Sequence, residues 1–212
     1  MTTKKISKRG RPRGFDVDKA IATALDLFHR RGYDGVGIAE LSKSIGITAP
    51  SLYSAFGNKR SLFEQVLKHY AQTSGGWLTA VLAQEGELED IVADFFSRAA
   101  EMYTADPARC GCLIMDATRN CSDESAIALT AGFKQATKQL ICDRLKAGAP
   151  DLPASAIEVL ASYICVVLVG LSGSARDGMD AAQLKAAADI ASKGFNQQLQ
   201  QYQAQQHEVT DP

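Results

Sequence analysis

Three cysteines that lie close together along the chain have the residue type and spacing best suited to chemistry. Cys110 and Cys112 flank a glycine directly after Arg109, and Cys121 follows nine residues later. Cys112 is predicted to lie at a helix start near Arg109, and both features lower a thiol pKa, as a sensor of oxidants or electrophiles requires. The three thiols could instead bind a metal ion, although they lack a clear fourth ligand. The interpretation that we favour is that they are small apolar residues of the core.

The other reactive side chains form no pattern that is typical of an enzyme. Cys142 and Cys165 lie in apolar helical stretches, and the odd total of five cysteines argues against a disulfide framework. The three histidines, His29, His69 and His207, have neither metal-binding nor catalytic spacing. The sequence also has no glycine-rich phosphate loop and no nucleophile elbow. We therefore expect a binding protein with no cofactor and no bound metal.

The charges are divided unevenly along the 212 residues. Residues 1–70 carry 13 basic and 6 acidic side chains, whereas the remainder carries 10 basic and 18 acidic ones. Residues 1–14 contain six Lys or Arg and no acid, and they are predicted to form a flexible arm. This asymmetry indicates an amino-terminal half that binds a polyanion. The alternative is a solvated basic tail without a partner.

Apolar residues at helical spacing predict an all-α protein with about nine helices. Caps and breakers such as Asp16, Gly46 and Gly178 mark the helix ends. The predicted helices cover residues 16–31, 38–45, 48–56, 59–83, 88–105, 111–120, 123–147, 154–172 and 180–202. The predicted units are a basic arm (1–14), a domain of short helices (15–60), a helical body (61–203) and a frayed tail (204–212). The longest apolar stretch, around Tyr163 to Val169, is shorter than the roughly 18 residues of a membrane span, so we expect a soluble intracellular protein.

Two short helices joined at Gly46 are typical of a helix-turn-helix, in which the second helix enters the major groove of DNA. Ile38, Leu41 and Leu52 are among the residues predicted to pack the two helices together. The solvent side of the second helix carries no long acidic side chain that phosphates would repel. It carries Thr48, Ala49, Ser51, Tyr53 and Ser54. A generic turn between helices is the alternative.

The run from Ala39 to Thr48, followed by Ser51-Leu52-Tyr53, Phe56, Asn58-Lys59 and Leu62-Phe63, resembles the signature of the TetR family of transcription regulators. The resemblance covers about residues 15–65, and the chain departs from the usual pattern at Pro50 and Ser54. It implies a three-helix DNA-binding domain followed by a helical domain for ligand binding and dimerisation. The implied protein is a regulator, most simply a repressor, that binds a palindromic operator as a dimer and is released by a small-molecule or thiol-reactive effector. A redox or metal-responsive sensor that uses Cys110, Cys112 and Cys121 is an alternative. An activator of the same fold is an alternative.

The resemblance also implies which residues contact double-stranded operator DNA. Bases would be read from the second helix, and phosphates would be contacted from its flanks. A packing role for Tyr53 is the alternative to a DNA contact. The residues so implied are Arg9, Arg11 and Arg13 in the arm, Lys43, Thr48, Ala49, Pro50, Ser51, Tyr53 and Ser54 in the helix-turn-helix, and Lys59 after it.

A homodimer is expected because one helix-turn-helix reads too few base pairs, and two must be held about one DNA turn apart. The last two long helices have apolar faces that could pair with those of a second chain, although these faces could equally form the internal core. The predicted interface residues are Leu160, Ile164, Val167, Leu168 and Leu171 on one helix, and Leu184, Ala188, Ala191 and Phe195 on the other.

The resemblance finally implies a cavity for an effector among the middle helices. The effector would favour a spacing of the two DNA-binding heads that no longer fits the operator. Each candidate lining residue could also be ordinary core. The candidates are Trp77, Phe95, Met102, Tyr103, Met115, Phe133 and Tyr163.

Overall fold

The computed structural model describes residues 15–210, and all ten regular elements in that range are helices. This confirms the predicted all-α fold, with one helix more than expected. The arginines Arg9, Arg11 and Arg13 of the basic arm lie outside the described residues. The helices are α1 Val17–Arg31, α2 Ile38–Ile45, α3 Ala49–Phe56, α4 Lys59–Gln72, α5 Gly76–Leu82, α6 Leu88–Thr104, α7 Leu113–Asp116, α8 Glu124–Gly148, α9 Ala154–Arg176 and α10 Ala181–Thr210.

The first three helices begin and end where the sequence predicts, because each boundary depends on a local cap. The Asp16 side chain accepts hydrogen bonds from the backbone N–H groups of Asp18 and Lys19 at the start of α1. Gly46 ends α2 in the left-handed conformation, with φ of 78°. Thr48 then caps α3 through its side-chain oxygen. The turn between α2 and α3 is therefore specified by neighbouring residues.

Four helices of the body differ from the prediction. The expected helix 59–83 is interrupted at residues 73–75, where the glycine pair Gly75-Gly76 stands at the start of α5. The predicted helix 111–120 contracts to the four residues of α7, whereas α9 continues to Arg176. The last predicted helix, 180–202, is longer in the structure, where α10 continues to Thr210. The side chain of Leu199 in α10 is completely buried.

The body is built around α6, which packs on α10, α9 and α5. Large side chains from these helices fill the core, including Phe95 and Phe96 of α6 and Phe195 of α10. Among residues 15–210, α9 is the one helix that by length and composition could cross a membrane. The sequence analysis missed it because serines and glycines interrupt its apolar run. Its inner face is buried in the body, as is typical of the core helix of a globular protein.

Candidate functional site

The helix-turn-helix is held together by an apolar interior. Leu41 of α2 and Leu52 of α3 are completely buried. Ile38, Ile45 and Ile47 are partly buried and pack against the same core. This packing fixes α3 against α2 and leaves one side of α3 facing solvent.

The solvent side of α3 presents hydroxyl groups and one aromatic ring. Pro50, Ser51 and Ser54 are exposed, and Tyr53 is 48% exposed. Thr48 and Ser51 share a hydrogen bond of 2.9 Å between their hydroxyl oxygens. Hydroxyl groups both donate and accept, so this face can pair with base edges or phosphates. Ala49, the remaining candidate, is half-buried.

Basic side chains flank this face on both sides. Lys43 is exposed near the end of α2. Lys59, at the start of α4, is half-buried, and its ammonium lies 4.1 Å from the centre of the Tyr33 ring. Its neighbour Arg60 is exposed and was missed by the sequence analysis, although its position in the first turn of α4 could have indicated it. No acidic residue lies between Glu40 and Glu64, so every charged side chain on this stretch of chain is basic.

An apolar cavity of about 150 Å³ lies in the body between α4, α5, α7 and α8. Four of the predicted effector-contacting residues line it, namely Trp77, Tyr103, Met115 and Phe133. A fifth, Met102, lines an adjoining cavity of about 130 Å³ with a mixed lining, called the polar cavity below because His29, Asp106 and Arg109 line it.

The two other predicted lining residues lie elsewhere. Phe95 is completely buried, with its ring centre 5.3 Å from that of Trp77, so it supports the cavity wall from behind. Tyr163 packs on Phe96 and donates a hydrogen bond of 2.8 Å to the Ala191 carbonyl. The distant placement of Tyr163 depends on how α9 packs, which apolar spacing alone does not determine.

The three clustered cysteines have separate surroundings. Cys112 lines the apolar cavity beside the hydroxyls of Tyr70 and Tyr103. Cys110 lies against the Asp106 and Pro107 carbonyls, whereas the Cys121 thiol lies 3.2 Å from a carboxylate oxygen of Asp34. Within residues 15–210, no three His, Cys, Asp or Glu side chains are grouped so that they could hold a metal ion.

The expectation that the thiol pKa of Cys112 is lowered is wrong. Burial raises the pKa of the Cys112 thiol, and it also raises that of Cys121. Cys112 does precede a helix, but α7 has only four residues, and the Cys112 N–H is engaged by the Ser172 hydroxyl at 2.7 Å. Cys112 is therefore a protonated thiol in an apolar wall.

The predicted dimer-interface residues are mostly internal, which corrects the sequence interpretation. The buried ones are Leu160, Ile164, Leu168, Leu171, Leu184, Ala188 and Phe195, while Val167 and Ala191 are half-buried. The sequence alone could not separate the two faces of α9, because that helix is apolar all round. Among the side chains described for the same two helices, the large apolar ones that are exposed are Val159, Val166, Val169 and Ile190. Val159 and Val166 are seven residues apart, a spacing that places them on one face of α9.

A hydrogen-bonded joint connects α1 with the segment that lines the cavity. The buried ring of His29 donates from Nε2 to the Gly111 carbonyl at 3.2 Å, and Arg176 donates to the His29 carbonyl at 3.0 Å. Asp116, also buried, accepts from the Ser172 hydroxyl at 2.5 Å. Nothing in the sequence pattern indicated this joint, because its members lie far apart along the chain.

Three comparisons relate the chain to known proteins. Residues 20–66 match the family model described as bacterial regulatory proteins, tetR family. The HTH-type transcriptional repressor BdcR of Escherichia coli (strain K12) is 31% identical over 202 residues, which cover 95% of this chain and all of BdcR. The repressor ComR of the same strain is 33% identical over 184 residues, covering 83% of this chain and 87% of ComR.

A solved structure extends the similarity to three dimensions. It is a cysteine variant of the TetR family transcriptional regulator CifR, complexed with 26-base-pair double-strand operator DNA. The identity is 33% and the TM-score is 0.79, with 86% of this chain and 98% of the CifR chain covered. The similarity therefore includes both the helix-turn-helix and the body.

Proposed function

The chain belongs to the TetR family of bacterial regulatory proteins, and we propose that it is a cytoplasmic repressor that binds an inverted-repeat operator as a homodimer. We further propose that a small molecule in the body cavity releases it from DNA. The observation that carries the proposal is the exposed face of α3, which has no acidic side chain and lies between basic flanks. The similarity to the repressor BdcR over nearly the whole chain supports it.

The roles proposed at the DNA follow from exposure and chemistry. Tyr53 and Ser54 would meet base edges or phosphates, with Thr48, Ala49, Pro50 and Ser51 at the start of the same helix. Lys43 and Lys59 would contact phosphates, and so would Arg60. The arm arginines Arg9, Arg11 and Arg13 would follow the minor groove or the backbone.

Selection of duplexes from a random pool by the full-length protein tests DNA binding directly. We expect enrichment of inverted repeats whose half-sites lie about 10 base pairs apart. Absence of any preference for an inverted repeat over random duplex at physiological salt would contradict the proposal.

Salt titration on the selected duplex then tests the phosphate contacts. Lys43→Ala should weaken binding on all sequences and reduce the slope of log affinity against log salt by about one. Lys68→Ala is the matched control, because Lys68 is equally exposed on α4 but pairs with Glu64, at 2.8 Å. A Lys43→Ala slope equal to that of the control would remove Lys43 from the interface.

A small-molecule effector is favoured over a thiol sensor at Cys112. The buried, protonated Cys112 is a weak nucleophile, whereas the apolar cavity beside it suits a small ligand. A much larger open cavity, of about 720 Å³, lies at the turn between α8 and α9, but it is distant from α1 and bounded by loop backbone and glutamines. Complete thiol alkylation followed by operator binding tests the alternative, since an unchanged affinity would exclude a thiol sensor.

The position of the cavity supports coupling to the DNA-binding head. Segment 111–116 lines the cavity through Cys112, Ile114 and Met115, and it holds α1 through Gly111. A ligand that shifts this segment would shift α1 relative to the body. Such a ligand acts only through its different affinities for the two arrangements. A repressor should lose operator affinity with its effector, whereas an activator should retain it.

A further inference from the structure

Two adjoining cavities share part of their lining. The apolar cavity and the polar cavity are both lined by Tyr70, Trp77 and Tyr103. Of these shared residues, Trp77 is half-buried. A single elongated molecule that displaces the Trp77 side chain could therefore place one end in each cavity.

The apolar cavity limits the size and character of one end of such a molecule. Its volume of about 150 Å³ is comparable to that of an engineered protein cavity of ~150 Å³ that binds benzene. Ile114, Met115 and Phe133 supply apolar contacts. The hydroxyls of Tyr70 and Tyr103 stay protonated, since burial raises the pKa of both well above the usual range. This end therefore suits one ring or a short branched chain.

The polar cavity has a basic side chain that is only partly engaged. Arg109 lines it and donates from Nε to a carboxylate oxygen of Asp106 at 2.7 Å. This hydrogen bond does not involve the two terminal nitrogens of the guanidinium. Arg176 lies just behind, within 3.0 Å of the His29 carbonyl. Two guanidinium groups therefore lie near His29, and one of them, that of Arg109, is paired with Asp106. Asp116, the other nearby acid, is already paired with Arg119 at 2.9 Å.

The protonation state of His29 agrees with this positive surrounding. Its pKa is lowered to about 4, chiefly by burial and also by the charges of Arg176 and Arg109. The hydrogen bond to Gly111 and the charge of Asp116 raise the pKa but do not offset this lowering. A carboxylate entering the polar cavity could accept from the terminal nitrogens of Arg109, with the charge of Arg176 nearby.

We propose that the effector is an amphiphilic carboxylate, with a ring-sized apolar group in the cavity at Phe133 and its carboxylate in the polar cavity against Arg109. This deepens the proposed function, on which it rests, by giving the chemical class of the ligand. The carboxylate end lies next to His29, which belongs to α1. The bound molecule would therefore touch both the body and the DNA-binding head.

Ligand binding can be measured without DNA, because Trp77 is the only tryptophan of the chain and lines both cavities. The probes are benzoate, phenylacetate and 3-phenylpropionate, each compared with its neutral amide, and phenethylamine as a cation. Binding is followed by tryptophan fluorescence on the full-length protein. We expect at least one carboxylate to bind about tenfold more tightly than its amide, as a charge-assisted hydrogen bond predicts, and the amine to bind most weakly. Amides or the amine binding as tightly as the carboxylates, or no binding by any probe at millimolar concentration, would overturn the proposal.

Variants locate the two ends of the ligand. Arg109→Gln should abolish the preference for carboxylate over amide. The control Arg98→Gln should keep it, because Arg98 makes a similar ion pair, with Glu101 three residues away, but does not line either cavity. Ala136→Phe, at an exposed position on the apolar cavity, should weaken every probe alike. An unchanged preference in Arg109→Gln would refute the polar end of the proposal.

Failure of this proposal is distinguishable from failure of the proposed function. Operator selection without ligand tests the repressor alone, and the fluorescence titration tests the ligand class alone. A protein that selects an inverted repeat but discriminates against carboxylates would remain a regulator and would take a different ligand.

Discussion

At the scale of single residues, His29 shows how a side chain of the DNA-binding head depends on the body. Its ring is buried and donates to the carbonyl of Gly111, and its own carbonyl accepts from Arg176. Burial and the two nearby arginines disfavour the imidazolium, so the folded protein holds His29 neutral. The joint between head and body should therefore weaken in acid.

Stability should fall as the pH decreases from about 6.5 to about 4. The pKa of His29 is about 4 in the folded protein and 6.5 when unperturbed, so the unfolded chain takes up the proton first. The loss attributable to His29 approaches about 3 kcal/mol at pH 4 and is absent above pH 7. His29→Gln, which keeps a donor for Gly111, should flatten the dependence of unfolding free energy on pH between 7 and 5. Urea unfolding of both proteins measures it.

His69→Gln provides the comparison, since His69 is half-buried on α4 and does not line the joint. It should retain the wild-type pH dependence. Parallel pH curves for wild type and His29→Gln would show that His29 does not titrate as proposed.

At the scale of elements, the segment from Gly111 to α7 connects the body to the DNA-binding head by backbone hydrogen bonds. The Gly111 carbonyl accepts a hydrogen bond from the His29 ring. Just after α7, the Ala117 carbonyl accepts one from the Tyr33 N–H, at 2.7 Å. Gly111 has φ of 80°, and an added Cβ would lie 2.8 Å from Asp116 Oδ2 and 2.9 Å from the Ser172 carbonyl. Only glycine fits this position.

Gly111→Ala should destabilise the protein by at least about 3 kcal/mol, because it combines an unfavourable φ with a clash against the buried Asp116. Gly132→Ala is the matched change within α8, where an added Cβ meets nothing within 4 Å. It should stabilise by roughly 0.5–1 kcal/mol through helix propensity. Thermal unfolding of both variants checks the pair, and similar effects would mean that the Gly111 contacts do not matter.

The sequence predicted those elements whose ends depend on neighbouring residues. The caps at Asp16 and Thr48 and the left-handed Gly46 lie within a few residues of the helices that they delimit. The exposed side of α3 follows from the same local pattern. The brevity of α7 and the joint at His29 could not be predicted in this way, because they depend on contacts between residues about 60 to 150 positions apart.

The same limit explains why most of the interface residues predicted on α9 lie inside the subunit. Its apolar residues surround the whole helix, so their spacing does not tell which side meets α6 and which side remains exposed. Packing in three dimensions decides this, and it buries Leu160 and Ile164 while leaving Val159 and Val166 outside. As a result, α9 has large apolar side chains that the core of one subunit leaves exposed.

At the scale of the whole molecule, this exposed apolar surface is the argument for a second subunit. Val166 is 69% exposed on α9, and Ile190 is 71% exposed on α10. Large apolar side chains exposed on two helices that pack together favour a protein–protein interface. In a homodimer they would be buried, and the two basic heads would be held at a fixed distance.

The outer and inner faces of α9 make opposite predictions for assembly. Val166→Glu should place a charge in the interface, convert the dimer to a monomer at micromolar concentration and lower operator affinity by at least about 100-fold, while the subunit stays folded. Leu160→Ala should instead lower the free energy of unfolding by about 2–5 kcal/mol, because it leaves a cavity in the core of each subunit.

Ile127→Glu, at an exposed apolar position on α8, controls for added charge. Light scattering with size-exclusion chromatography measures the mass. If the Val166→Glu protein remained dimeric and the Leu160→Ala protein dissociated, the subunits would have to pair through the inner face of α9.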